Sequence, residues 1–147
     1  MILGGTAMEV TVLVVTNNRK AEEKYRTQDR LRVEFLEDGG YLDVLLRVRD
    51  LLHAGWHLLS HPQASNLKPM QTPYKSVIVA RGVSVQPFER DIEMIESAIA
   101  GYEKFTKGKV LPSWTEKIRD DFCTVDLAVI DSAVQNPGLQ NFLQNGF

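Results

Sequence analysis

A single cysteine, Cys123, stands in the 147 residues. That excludes an intramolecular disulfide and any zinc site built on several cysteines, and it fits a reducing compartment, so a cytoplasmic location is expected. No apolar run approaches the ~18 residues of a membrane span. The opening MILGGTAM has neither a basic segment nor a sustained apolar core and does not read as a signal peptide. Met8 can serve as a second start, which would make residues 1–8 a disordered extension. Basic charge is not in excess: 17 Lys and Arg against 19 Asp and Glu give a formal net charge of −2, so the electrostatic basis for holding a nucleic-acid backbone is missing. GxGxxG, the phosphate loop, HExxH and GxSxG are all absent, which leaves dinucleotide, nucleotide, metalloprotease and serine-hydrolase chemistry unsupported. No metal and no cofactor is expected.

What is present is an ordinary globular composition, 44% hydrophobic and 24% charged, at a length that makes residues 1–147 one domain with one core. Val10 to Val15 (VTVLVV) is almost continuously apolar and β-branched, the pattern of a strand covered on both faces. Leu31 to Leu36 alternates, Leu31, Val33 and Phe35 against Arg32 and Glu34, which places it at a sheet edge. His57 to Ser60 and Ser76 to Ala80 are shorter apolar runs, and Gly82 predicts a bend before Val83 and Val85. Helices are expected over 19–28, over Tyr41 to Ala54 with Gly55 as its stop, and over Asp91 to Thr106. In the second of these the positions Leu42, Leu45, Leu46, Arg49 and Leu52 form an apolar stripe broken only at Arg49; in the third the stripe is Ile92, Ile95, Ile99, Tyr102 and Phe105. Residues 107–147 read as a helical segment. Its helix is capped by the S-x-x-E box of Ser113 and Glu116 and ends near Gln135, before Pro137. That helix has two apolar rows, Ile118, Phe122, Val125 and Val129 beside Leu127, Ile130 and Val134. The second row is needed either for wedging between elements of the same chain or for a homodimer through residues 114–135.

The element order predicts a three-layer α/β fold: a mainly parallel sheet of about four strands in the order 2-1-3-4, flanked by helices. It is Rossmann-like without a dinucleotide fingerprint. The strand order would reverse between strands one and three, and ligands of open α/β sheets sit outside the carboxyl ends at such a point. Thr16, Asn17 and Asn18 would then face His61 and Pro62. The asparagines have two open readings, a ligand contact or a cap for the next helix. His61 is the candidate acid or base, since an imidazole titrates near neutral pH. His53, His57 and His61 are spaced by four, but Gly55 breaks any helix that would gather them on a metal. Gly39-Gly40 before a helix is either an anion-binding start or a plain turn. Cys123 sits among apolar helix positions and reads as packed rather than nucleophilic.

LLSHPQASNLKPMQTPYKSVIV, residues 58–79, links the last two strands through three prolines. Stiffened by Pro62, Pro69 and Pro73, it offers Lys68, Thr72, Tyr74, Lys75 and Ser76 to a small anionic ligand or an acidic partner; the competing reading is a solvated crossover. VTNN (15–18), LDVLLRVRDLLHAG (42–55) and the H-P…K-P…T-P-Y-K-S pattern of His61 to Ser76 resemble the GrdX family over roughly Val12 to Ile99. This family comprises small proteins encoded beside components of glycine reductase in amino-acid-fermenting anaerobes. The resemblance implies an accessory or regulatory protein with glycine reductase components as partners, and brings no catalytic residue and no cofactor with it. The alternative is a small enzyme acting on an amino-acid-derived or phosphorylated metabolite, with His61 as acid/base and Lys75 as anion anchor.

Overall fold

The computed structural model describes residues 10–65, 67–82 and 86–145. The expected extension at 1–8 and the positions Val83 and Val85 lie outside them. The elements in chain order are β1 (Thr11–Thr16), α1 (Arg19–Tyr25), β2 (Leu31–Phe35), α2 (Tyr41–His53), β3 (His57–Leu58), β4 (Ser76–Arg81), α3 (Phe88–Thr106), α4 (Glu116–Val134) and α5 (Pro137–Asn145).

The sheet is mixed and its order is β2-β1-β4-β3. β1 runs parallel to β2, whereas β4 is antiparallel to both β1 and β3. This corrects the mainly parallel 2-1-3-4 expectation, and the reason lies in two features of the chain. Among the described residues no helix separates β3 from β4, so the usual crossover element of a parallel pair is missing there and the chain doubles back. The six-residue β4, with Val77, Ile78, Val79 and Ala80 all fully buried, pairs along the whole of β1, from Thr11↔Arg81 to Thr16↔Ser76. The two-residue β3 cannot match that burial and takes the edge.

Alternation then sorts the core into two layers. Leu13, Val15, Val77 and Val79 face α2 and α3, packing on Val44, Leu45, Val48 and Ile95. Val12, Val14, Ile78 and Ala80 face the other side, covered by Tyr25 of α1, Ile130 and Val134 of α4 and Phe142 of α5. The buried stripe of α2 is centred on Tyr41, Val44, Leu45, Val48, Leu51 and Leu52, with Leu42 and Leu46 at its margin, so the face predicted through Leu42 and Leu46 is rotated. The β-branched Val44 and Val48 take the central line, which releases Arg49 to pair with Glu96 at the surface. α3 buries Asp91, Ile95, Ala98 and Ile99; Ile92 and Tyr102 are only half-buried.

Helix ends follow local chemistry. Gly55, at φ +102°, closes α2: its N–H donates to the Leu52 carbonyl while the Trp56 N–H donates to that of Leu51, the Schellman arrangement. α4 is capped by Thr115, whose hydroxyl oxygen accepts from the Ile118 N–H, and not by Ser113; the predicted box is displaced because Glu116 is already the first helical residue. α5 was not expected as a separate helix. Proline at its first position needs no N–H partner, and Asn136 Oδ1 accepts from the Gly138 N–H. On α4 the row Leu127, Ile130 and Val134 packs inward, while Ile118 and Val125 of the other row are 43% and 41% exposed.

Candidate functional site

The carboxyl end of β1 and the amino end of β4 meet at the pair Thr16↔Ser76, because the two strands are antiparallel. The polar residues that leave β1 therefore sit against those that end the long linker, rather than against those that begin it. Thr16, Asn17, Asn18, Thr72, Lys75 and Ser76 are all buried, and Tyr74 is half-buried. Burying that many polar groups is tolerable only when each finds a partner.

Asn17 works as a clamp. Its Oδ1 accepts from the Lys75 N–H (2.9 Å), and its Nδ2 donates to the carbonyls of Pro73 (2.8 Å) and Gly39 (3.1 Å). One side chain thus joins the linker's end, the strand exit and the turn before α2. Asn18 both caps and bridges: its Oδ1 accepts from the Lys20 N–H at the start of α1 (3.0 Å), while its Nδ2 donates to the Cys123 carbonyl and to Asp126 Oδ2 on α4, each at 2.9 Å. Ser76 donates to the same Asp126 oxygen (2.7 Å), and its own Oγ lies 2.7 Å from the Thr16 hydroxyl, which in turn accepts from the Asn18 N–H (2.9 Å). Thr72 accepts the Tyr74 N–H at 3.1 Å and sets the last turn of the linker.

Lys75 differs from all of these. The residue is 2% exposed, yet among the described residues its Nζ makes neither a hydrogen bond nor an ion pair. The ammonium stands over the Tyr41 ring, 5.4 Å from the centroid, and Tyr41 stacks on Tyr102 at 5.5 Å and 18°. Burial lowers the Lys75 pKa to about 8, with the Asp126 carboxylate acting in the opposite direction. Asp126 itself is pushed upward by burial, against the hydrogen bonds from Asn18 and Ser76 and the charge of Lys75. Burial also raises the Tyr41 hydroxyl to about 12, helped by Asp126 and Tyr102. Cys123 is buried, and burial raises its thiol pKa against the opposing hydrogen bond with Tyr74, which disfavours the nucleophilic thiolate.

His61 and Lys68 are elsewhere. His61 is exposed; its Nδ1 accepts from the Gln63 N–H (3.0 Å), and it lines a shallow groove of about 290 Å³ with Arg90, Glu93 and Met94 of α3. Lys68 lies over Phe105 near the end of α3. β4 separates the two ends of the linker, so His61 does not face Asn17. A hollow of about 670 Å³ is at the opposite edge of the sheet, between the start of β2 and α5.

Two participants had no signal in the sequence reading. Asp126 lies between Val125 and Leu127 on a helix read for its apolar rows, and a single carboxylate there resembles any solvated position. Asp91 is fully buried, accepting from the Leu58 N–H (3.3 Å) and Gln86 and lying 3.1 Å from His57 Nδ1. With His57 at Asp91, His53 edge-on to Phe88 and His61 at Gln63, the three histidines have separate surroundings. Among the described residues no cluster of three His, Cys, Asp or Glu side chains is placed to hold a metal, and no helix is long and apolar enough to cross a membrane.

Fold and site together define a small α/β protein with a mixed four-stranded sheet and a cluster of buried polar side chains, Lys75 among them, where its first and last strands meet. The GrdX-like protein family model matches residues 13–135, well beyond the stretch of closest sequence likeness, and the chain belongs to that family. No curated protein and no solved structure matches it.

Proposed function

We propose that this is a cytoplasmic accessory protein of glycine-reductase-type amino-acid fermentation that binds a small anionic ligand, with Lys75 as the anchor. Family membership supports the setting. The observation that carries the binding reading is Lys75: a lysine 2% exposed, without a hydrogen-bond partner among the described residues, costs stability unless something offsets the charge. An anion does so, and a protein that retains such a group exchanges stability for binding. Thr16, Asn17, Asn18, Thr72, Tyr74 and Ser76 then form the frame that fixes the ammonium. The competing enzyme reading has less support, since His61 is exposed and its Nδ1 is engaged by the Gln63 N–H, away from Lys75.

The reading is tested by native mass spectrometry of the purified protein followed by identification of what is released. An anionic small molecule carried by the wild type and lost from Lys75→Met is the expected result. A ligand retained in full by a folded Lys75→Met variant would contradict it.

A further inference from the structure

Gly108, at φ +70°, turns the chain back after α3, and the Lys109 N–H donates to the Thr106 carbonyl at 3.0 Å. The Lys109 ammonium thereby stands 4.4 Å from the centre of the Phe105 ring. Lys68, from the proline-rich linker, stands over the same ring at 5.5 Å. The two ammonium groups are therefore within about 10 Å of each other, the Debye length at 0.1 M salt, so their repulsion is only partly screened. Lys104 and Lys107 are exposed as well, and among the described residues none of the four lysines makes an ion pair. Glu103 is the only acidic residue from 102 to 115. Lys104 and Lys107 have a local reason for their place, since cations at a helix end offset its free carbonyls. That reason does not extend to Lys68 and Lys109, which two separate segments bring to one ring against their mutual repulsion.

Apolar surface continues the patch. Val110 is 91% exposed and Leu111 51%, the two highest values among the large hydrophobic side chains described. The loop that carries them is pinned at both ends, by Lys109 on Phe105 before them and by Trp114 after them, whose ring meets Phe122 of α4 edge-on at 6.4 Å. Pro112 removes backbone freedom between the two pins. A loop held in this way has little conformational freedom left to lose on binding. A basic field around two presented apolar side chains complements an acidic segment that carries apolar residues of its own. A small free anion would leave Val110 and Leu111 in water. A broad anionic surface such as a bilayer is a poorer match, because the exposed Glu116, Asp120 and Asp121 follow the loop on α4.

We infer that the surface made by Lys68, Lys104, Lys107, Lys109, Val110 and Leu111 docks an acidic segment of a partner protein, with apolar residues of that segment on Val110 and Leu111. Anion binding at Lys75 is not needed for it. The test is fluorescence anisotropy of the full chain with a labelled synthetic peptide of alternating glutamate and leucine. The wild type is expected to bind it, less tightly as salt rises, and Lys68→Glu combined with Lys109→Glu to weaken it about tenfold. Val110→Ser should also weaken it while leaving the salt dependence as it was. Val125→Ser, at an exposed apolar position on α4 outside the patch, should leave it unchanged. These positions are all exposed, so the variants keep the fold. Equal binding by the wild type and the double lysine variant, or binding by neither, would overturn the docking surface. Serine in place of leucine in the peptide, without loss of affinity, would overturn the role of Val110 and Leu111. Tighter binding to phosphatidylcholine vesicles containing phosphatidylserine than to the peptide would overturn the protein partner in favour of a lipid surface.

Discussion

Lys75→Met is expected to be more stable than the wild type by about 2 kcal/mol at neutral pH, without ligand. The displacement of the lysine pKa from 10.5 to about 8 corresponds to roughly 3 kcal/mol of burial penalty, and the lost contact with the Tyr41 face returns about 1 kcal/mol of it. Methionine follows the same path with a similar volume and no charge. The pH dependence has a definite sign. Because the folded-state pKa lies below the unfolded one, the unfolded chain binds the extra proton between them, and stability rises with pH in that window. The penalty is complete below about pH 8 and is relieved as the pH rises toward 10.5. The variant's advantage should therefore shrink over that range in chemical denaturation. Asp126 faces the same group from α4 and loses a stabilising cation in the variant, so its carboxyl pKa moves further up. The hydroxyl of Tyr41, raised to about 12, contributes little to the difference between the two proteins below pH 10. Equal stability of the two proteins across the whole range would mean that the ammonium is not desolvated.

Asn18→Ala is expected to cost about 3 kcal/mol, the largest loss from a single polar substitution at the site. About 1 kcal/mol comes from the N-cap of α1. The remainder comes from the two Nδ2 bonds to α4, at about 1 kcal/mol each, with Asp126 left to its one remaining donor, Ser76. Asn18→Ser separates the contributions. Serine keeps the cap but is too short to bridge to Cys123 and Asp126, so it should recover only the first kilocalorie. The measurement is urea denaturation, with the midpoint falling and the slope unchanged. Full recovery by serine would mean that the bridge to α4 carries no stability.

The interior strands and the two amphipathic helices were legible because their signals are local: β-branched runs for β1 and β4, a 3.6-residue stripe and a glycine stop for α2. Strand order was not, since it depends on which distant run fills the place beside β1. In the sequence, His57 to Ser60 and Ser76 to Ala80 are comparable apolar runs, and only the folded sheet distinguishes two paired residues from six. That error carried into the site. Placing the third strand beside the first brought the beginning of the linker to Asn17, whereas the antiparallel β4 brings its end. Hence Asn17 and Asn18, which follow the buried β1, meet Lys75 and Ser76 at the start of β4 and not His61 and Pro62 as expected, and Lys68 also lies apart from them. The burial of Lys75 was not visible either, because a lysine in a proline-rich loop reads as solvated until the strand that follows it is known to be central. Asp126 reaches the cluster only through the packing of α4, more than a hundred residues from Asn18 in sequence.

The central claim is the proposal that Lys75, whose pKa burial lowers, anchors a small anion, and its most direct test is the titration of the Lys75 side chain by ¹³C nuclear magnetic resonance, with and without saturating acetate. The account predicts a midpoint near 8 in the free protein and a higher one with acetate, since a bound anion favours the charged form. A midpoint at the ordinary lysine value, or one that acetate leaves unmoved, would contradict it.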